Sequence, residues 1–166
     1  MKTIPYAMSI SGCLSDEFAR GFKSMSIEKL AQNLIAAVYL WHADGTGLKV
    51  QSELHDIVDW IEVGALKFSR VTGPVSGVSG IGVCETVVSE INLPEEFCTG
   101  LKASKLVLCT HGVIIESGVV LENGNRNTII LVACADPYMI AVQAPFYTGT
   151  FDPEYNLSEY YRKPIS

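Results

Sequence analysis

Between Ser26 and Ala43 the apolar residues Ile27, Leu30, Ala31, Leu34, Ile35 and Val38 recur at the 3.6-residue spacing of one helix face. Ser26 can cap such a helix, and Asp44-Gly45-Thr46-Gly47 would end it. Ala36, Ala37, Tyr39 and Leu40 widen the stripe until the second half is apolar nearly all round, the mark of a helix touched on several sides. Ser52 to about Leu66 gives a second helix. Its stripe is Leu54, Ile57, Val58, Ile61 and Ala65, with His55, Asp59 and Glu62 opposite and Glu53 and Asp56 on one flank. Ser15 to Phe22 adds one or two turns, with Ser15 as cap and Asp16 and Glu17 at the positive end of the helix dipole.

The pattern changes after the glycine-rich segment 72–82. Val83 to Ile91 is open between strand and helix, and its shortness and β-branched residues favour a strand. Asn92 to Phe97 opens like a helix start, with Pro94 in the first turn. Lys105 to Gln143 is a series of Val- and Ile-rich runs broken at Ser117-Gly118, at Asn123-Gly124-Asn125 and at Asp136-Pro137, as in an antiparallel meander. The expectation is one α+β domain over 1–166, with N-terminal helices (15–68) packed on a C-terminal antiparallel β-meander sheet (75–145) and an aromatic tail (146–166) wrapped over it.

Composition agrees with a folded chain that supplies its own core: 48% of its 166 residues are hydrophobic and 18% charged. The apolar run between Asn33 and His42 is too short to cross a bilayer, and the first dozen residues lack the apolar core of a signal peptide, so a cytoplasmic address is expected. Net charge is −6, with seven bases and eight acids up to Thr72 and five bases and ten acids from Gly73 onward. An acidic surface without a basic stripe argues against nucleic acid or anionic membrane and suits a basic protein partner. Composition leaves the oligomeric state open.

Five widely spaced cysteines, with no C-x-x-C pair, read as free thiols rather than a disulfide frame or zinc site. The glycines of 72–82 lack the Lys-Ser/Thr of a phosphate loop and the spacing of a dinucleotide fingerprint, so no cofactor is expected. Two arrangements carry candidate chemistry. Trp60 lies beside Asp56, Asp59 and Glu62, and a large aromatic among exposed carboxylates is what a protein-binding hot spot looks like; the competing account packs Trp60 under a loop of its own domain. Glu85, Glu90, Glu95 and Glu96 form a second acidic set with no base among them. The catalytic alternative is a papain-like thiol hydrolase using Cys84 as nucleophile, His111 as base and Asp136 as orienting group; otherwise His111 is a satisfied histidine in a buried strand. His42, at the expected helix end, reads as structural, and His55, Asp59 and Glu62 as a chance grouping rather than a metal site.

The run Ile-Ile-Leu-Val-Ala-Cys-Ala-Asp-Pro-Tyr-Met-Ile-Ala-Val-Gln from Ile129 resembles the strand, Asp-Pro-aromatic turn and strand near the C-terminus of SUKH-type immunity proteins. That resemblance implies a small cytosolic α+β protein that neutralises a toxin delivered by a competing bacterium. The favoured function is therefore stoichiometric binding and inhibition of a basic protein.

Overall fold

The computed structural model describes residues 1–9, 13–30, 34–74, 78–79 (backbone only) and 86–165. In chain order the elements are β1 (Lys2–Ile4), β2 (Ala7–Ser9), helix α1 (Leu14–Ala19), β3 (Ser24–Lys29), β4 (Ile35–Trp41), β5 (Thr46–Val58), β6 (Ile61–Thr72), β7 (Val78–Ser79), β8 (Thr86–Asn92), β9 (Lys102–Thr110), β10 (Val113–Glu122), β11 (Thr128–Ala133), β12 (Ile140–Gln143) and β13 (Tyr160–Pro164). All thirteen strands join one sheet, which curls into a half-barrel. The α+β expectation is overturned, because both long N-terminal helices are strands.

The first expected helix is the β3–β4 hairpin, and the second is the outer part of the β5–β6 hairpin. The error has a physical cause. Ile35, Val38 and Leu40 face the main core while Ala37, Tyr39 and Trp41 pack on the opposite side, so β4 is covered on both faces. A strand buried on two sides has no alternating polar residues, and periodicity cannot separate it from a buried helix. The meander expectation holds better: β9 to β12 pair in order, antiparallel, and the strand expected over 83–91 is present from Thr86.

Ser117-Gly118 is not a reversal. It is a bulge inside β10, where Glu116 pairs with Val107 and Gly118 with Leu106. Before the bulge Val113 and Ile115 face the second core; after it Val119 and Leu121 face the first and Val120 the second. One extra residue has exchanged the two faces of the strand. Glycine fits because a Cβ at 118 would lie 2.8 Å from the Leu131 carbonyl oxygen.

The N-terminal segment bridges β10 and β6. β1 runs parallel to β10 and β2 parallel to β6, and between them Tyr6 donates its amide to Glu116 at 2.9 Å and its hydroxyl to the Gly118 carbonyl. Lys105 neutralises the buried Glu116 at 2.6 Å. Inside the curl, Leu14 and Phe18 of α1 and the following Phe22 join Phe68, Leu40 and Leu131 in the main core. Each large side chain buried there contributes about 1.5–3 kcal/mol.

A buried ionic knot fastens α1 to the hairpins. Glu17 accepts from His42 Nε2 at 2.6 Å and from the Arg70 guanidinium; His42 Nδ1 lies 2.8 Å from the Gly21 carbonyl, and its ring stacks on Phe22. Arg20 extends the knot to Asp44 at 2.9 Å. Burial acts to raise the Glu17 carboxyl, but the hydrogen bonds and charges of His42 and Arg70 outweigh it and hold the group below its ordinary value.

Two outcomes follow from this packing. Glu17→Gln leaves Arg70 and His42 without their carboxylate and should destabilise the fold by about 3 kcal/mol in chemical denaturation. A carboxyl depressed in the folded state stabilises fully above its unfolded pKa, and that contribution disappears as pH falls through the folded value. The variant's stability should therefore fall less on acidification than the parent's. Gly64→Val would place a Cβ 2.5 Å from the Ala133 Cβ and 3.0 Å from the Ser52 hydroxyl, and should cost about 1–3 kcal/mol by the same measurement.

Candidate functional site

The β5–β6 hairpin has strands of 13 and 12 residues, and its far end carries the aromatic-acidic group singled out in the sequence. Leu54 pairs with Gly64, His55 with Val63, Asp56 with Glu62 and, past a bulge at Ile57, Val58 with Ile61, leaving Asp59-Trp60 as the turn. Trp60 is fully solvent-exposed at 102% relative accessibility, and its φ is +63°. A bulky side chain in the left-handed region is an outlier, tolerated here because the two-residue turn requires it. Packing under a loop of its own domain is thereby excluded for Trp60.

The electrostatics of the tip are unbalanced. Asp56 and Glu62 sit directly across the ladder from each other, a like-charge pair that costs a few tenths of a kcal/mol. Asp59 adds a third carboxylate in the turn, and among the described residues none of the three has an ion pair. Next to Asp56 in the ladder, His55 Nε2 stands 4.0 Å from Glu53, and Lys67 is engaged with the same Glu53 at 3.4 Å further down the arm. Asp56, Ile57, Val58, Asp59, Trp60 and Glu62 line an open hollow of about 740 Å³.

The second acidic set is divided. Glu85 lies outside the described residues. Glu90, on β8, accepts the Ser24 hydroxyl at 2.8 Å. Glu95 and Glu96 are on a 3-10 turn, where Glu96 accepts the amides of Asn125 and Asn127 at 2.7 and 3.1 Å. Two of its carboxylates thus already have partners within the chain.

The residues of the catalytic alternative are partly visible. Cys84 lies outside the described residues. His111 is not in a buried strand but in the exposed β9–β10 turn, at φ +50°, with Nδ1 2.9 Å from the Thr110 hydroxyl. Asp136 is exposed in the β11–β12 connection. Among the described residues no hydrogen bond or ion pair joins His111 to Asp136. His42 is structural, as expected, though at the end of a strand.

Three groups unforeseen in the sequence are also present. The ligand atoms of Cys134, Asp136 and Asp152 lie within 4.8 Å of one another, because the tail pairs back on β11 through a Cys134–Pro153 bridge. Burial and the two neighbouring carboxylates push the Cys134 thiol up. At the start of α1 the Ser15 hydroxyl, 2.8 Å from Cys13 Sγ, holds that exposed thiol below its ordinary value. A hollow of about 400 Å³ between β3, β4 and β8 is lined by Ser24, Ser26, Trp41 and Glu90, with the Trp41 indole donating to Ser26 at 2.8 Å. Cys13 and Ser15 are neighbours in the sequence, whereas the other two groups join residues distant along the chain and have no local signal.

Comparison with protein-family models, curated proteins and solved structures finds no match to this chain. Among the described residues no helix is long and apolar enough to cross a membrane.

The two perturbed thiols separate experimentally. Iodoacetamide should alkylate Cys13 faster than Cys134 in the folded protein, with the gap widening as pH falls below the ordinary thiol range of about 8.5, read by peptide mass spectrometry.

Proposed function

We propose that this protein binds another protein stoichiometrically, and that the β5–β6 tip is the element that makes the contact. The observation that carries the reading is Trp60: a fully exposed indole, held at positive φ, flanked by three carboxylates that have no ion pair among the described residues. Solvated indole gains nothing from its own fold, whereas a Trp buried in a partner's surface is among the strongest single contributors to binding. Strained backbone at an exposed position points the same way. The arm is also suited mechanically, since its base is anchored in the main core by Leu48, Val50, Leu66 and Phe68 and its end projects as a paired ladder.

The carboxylates select a basic surface. They speed encounter and discourage acidic partners more than they add affinity, so their effect should be salt-dependent. Covering a basic toxin, as an immunity protein does, is the form of inhibition this charge pattern suits. The α+β architecture implied by the SUKH resemblance is not part of the proposal.

Immobilised parent protein and a Trp60→Ala variant, presented with the proteins of the source cell, test the reading. The expected result is a basic partner retained by the parent, weakened by at least about 2 kcal/mol, or roughly 30-fold, with the variant and released by salt. The variant should match the parent in thermal unfolding, because Trp60 packs against nothing. Equal retention by parent and variant would remove the tip from the function.

A further inference from the structure

We infer that the β5–β6 tip is a receptor for an arginine side chain of the partner, with the guanidinium lying on the Trp60 ring and held by Asp56 and Glu62. The inference rests on the reading of the tip as the partner-binding element and adds the chemistry of what it takes. Three observations combine. Asp56 and Glu62 are opposed across the ladder and, among the described residues, neither has an ion pair, so a bound cation relieves a repulsion already built into the arm. The Trp60 ring is open to solvent on its faces. Asp56, Asp59, Trp60 and Glu62 border the same open hollow at the end of the arm, so one ligand group can reach them together.

Arginine fits this set better than lysine. Its guanidinium is planar, stacks on an aromatic face, and offers parallel N–H donors to carboxylates, while an ammonium is a compact, strongly hydrated point charge. Indole face and paired acids together satisfy both surfaces of a guanidinium. Other aromatic and acidic groups differ: Glu96 is occupied by Asn125 and Asn127, the Lys49 ammonium already stands 5.6 Å over the Tyr39 ring, and the exposed Tyr138, two residues from Asp136, offers a phenol ring rather than an indole.

The test needs no knowledge of the partner. The two indole N–H resonances of isotope-labelled full-length protein report separately, one from Trp41, buried and bonded to Ser26, and one from Trp60. Blocked tripeptides Gly-Arg-Gly, Gly-Lys-Gly and Gly-citrulline-Gly are titrated to high millimolar concentration. The expected result is a saturable shift of the Trp60 resonance with Trp41 unmoved. The arginine peptide should bind about threefold or more tightly than the lysine peptide, and the uncharged citrulline isostere should have no effect. Asp56→Asn with Glu62→Gln should abolish the saturable response while leaving the resonance in place. Equal responses to arginine and lysine, no saturation with either, or an unchanged response in the double variant would each overturn the assignment. Those outcomes leave Trp60-dependent partner retention to be judged by its own measurement, so the two readings fail separately.

Discussion

Burial of β10 on both faces is the constraint on which the rest of this structure depends. Val119 and Leu121 fill the inside of the curl while Val113, Ile115 and Val120 build a second core on the outside. No single helix layer covers both surfaces. The curled sheet supplies the inner cover, and the start of β6, the N-terminal strand and the returning tail supply the outer one. The bulge at Ser117 makes this arrangement compatible with one sequence, because it exchanges the two faces midway.

The same bulge sets the electrostatics of the closing seam. Glu116, beside it, is carried into the interior, where it would be costly without Lys105 and the Tyr6 amide. Having both, it becomes the point at which the N-terminal segment is tied down. The Glu17, His42 and Arg70 knot plays the corresponding part for α1. Charged groups in the interior are satisfied in these two places, and both lie where separate elements meet, so each fixes a relative position that apolar packing alone would leave less specific.

The β5–β6 tip differs from these two ion-paired seams. It combines a large solvated aromatic, a strained turn residue and like charges opposed in the ladder. Each feature costs a little stability and, among the described residues, none is compensated within the fold, which is why we propose the tip as the contact surface.

How much of this was legible in the sequence depends on the segment. Met25 and Ile27 alternate with Ser24, Ser26 and Glu28, and Leu48-Lys49-Val50-Gln51-Ser52-Glu53 alternates as a half-buried strand does, so β3 and the start of β5 carried their period openly. A 3.6-residue coincidence from Leu54 to Ala65 obscured the second, and two-sided burial removed the period from β4. The Trp60, Asp56, Asp59 and Glu62 grouping was also visible, because residues 56, 59 and 60 share one side of a helix and, here, one end of a hairpin.

By itself the sequence determined the meander of β9 to β12, the acidic balance, the absence of a phosphate-loop or zinc pattern, and the residues of the tip. Those are properties of composition and of neighbours along the chain. Tertiary structure decided the class of the first half, the exposure of Trp60, the face exchange at Ser117 and the meeting of Glu17 with His42 and Arg70. Each of these depends on what covers a segment from outside it, and apolar periodicity records only that a side chain is covered, not by what or from how many sides.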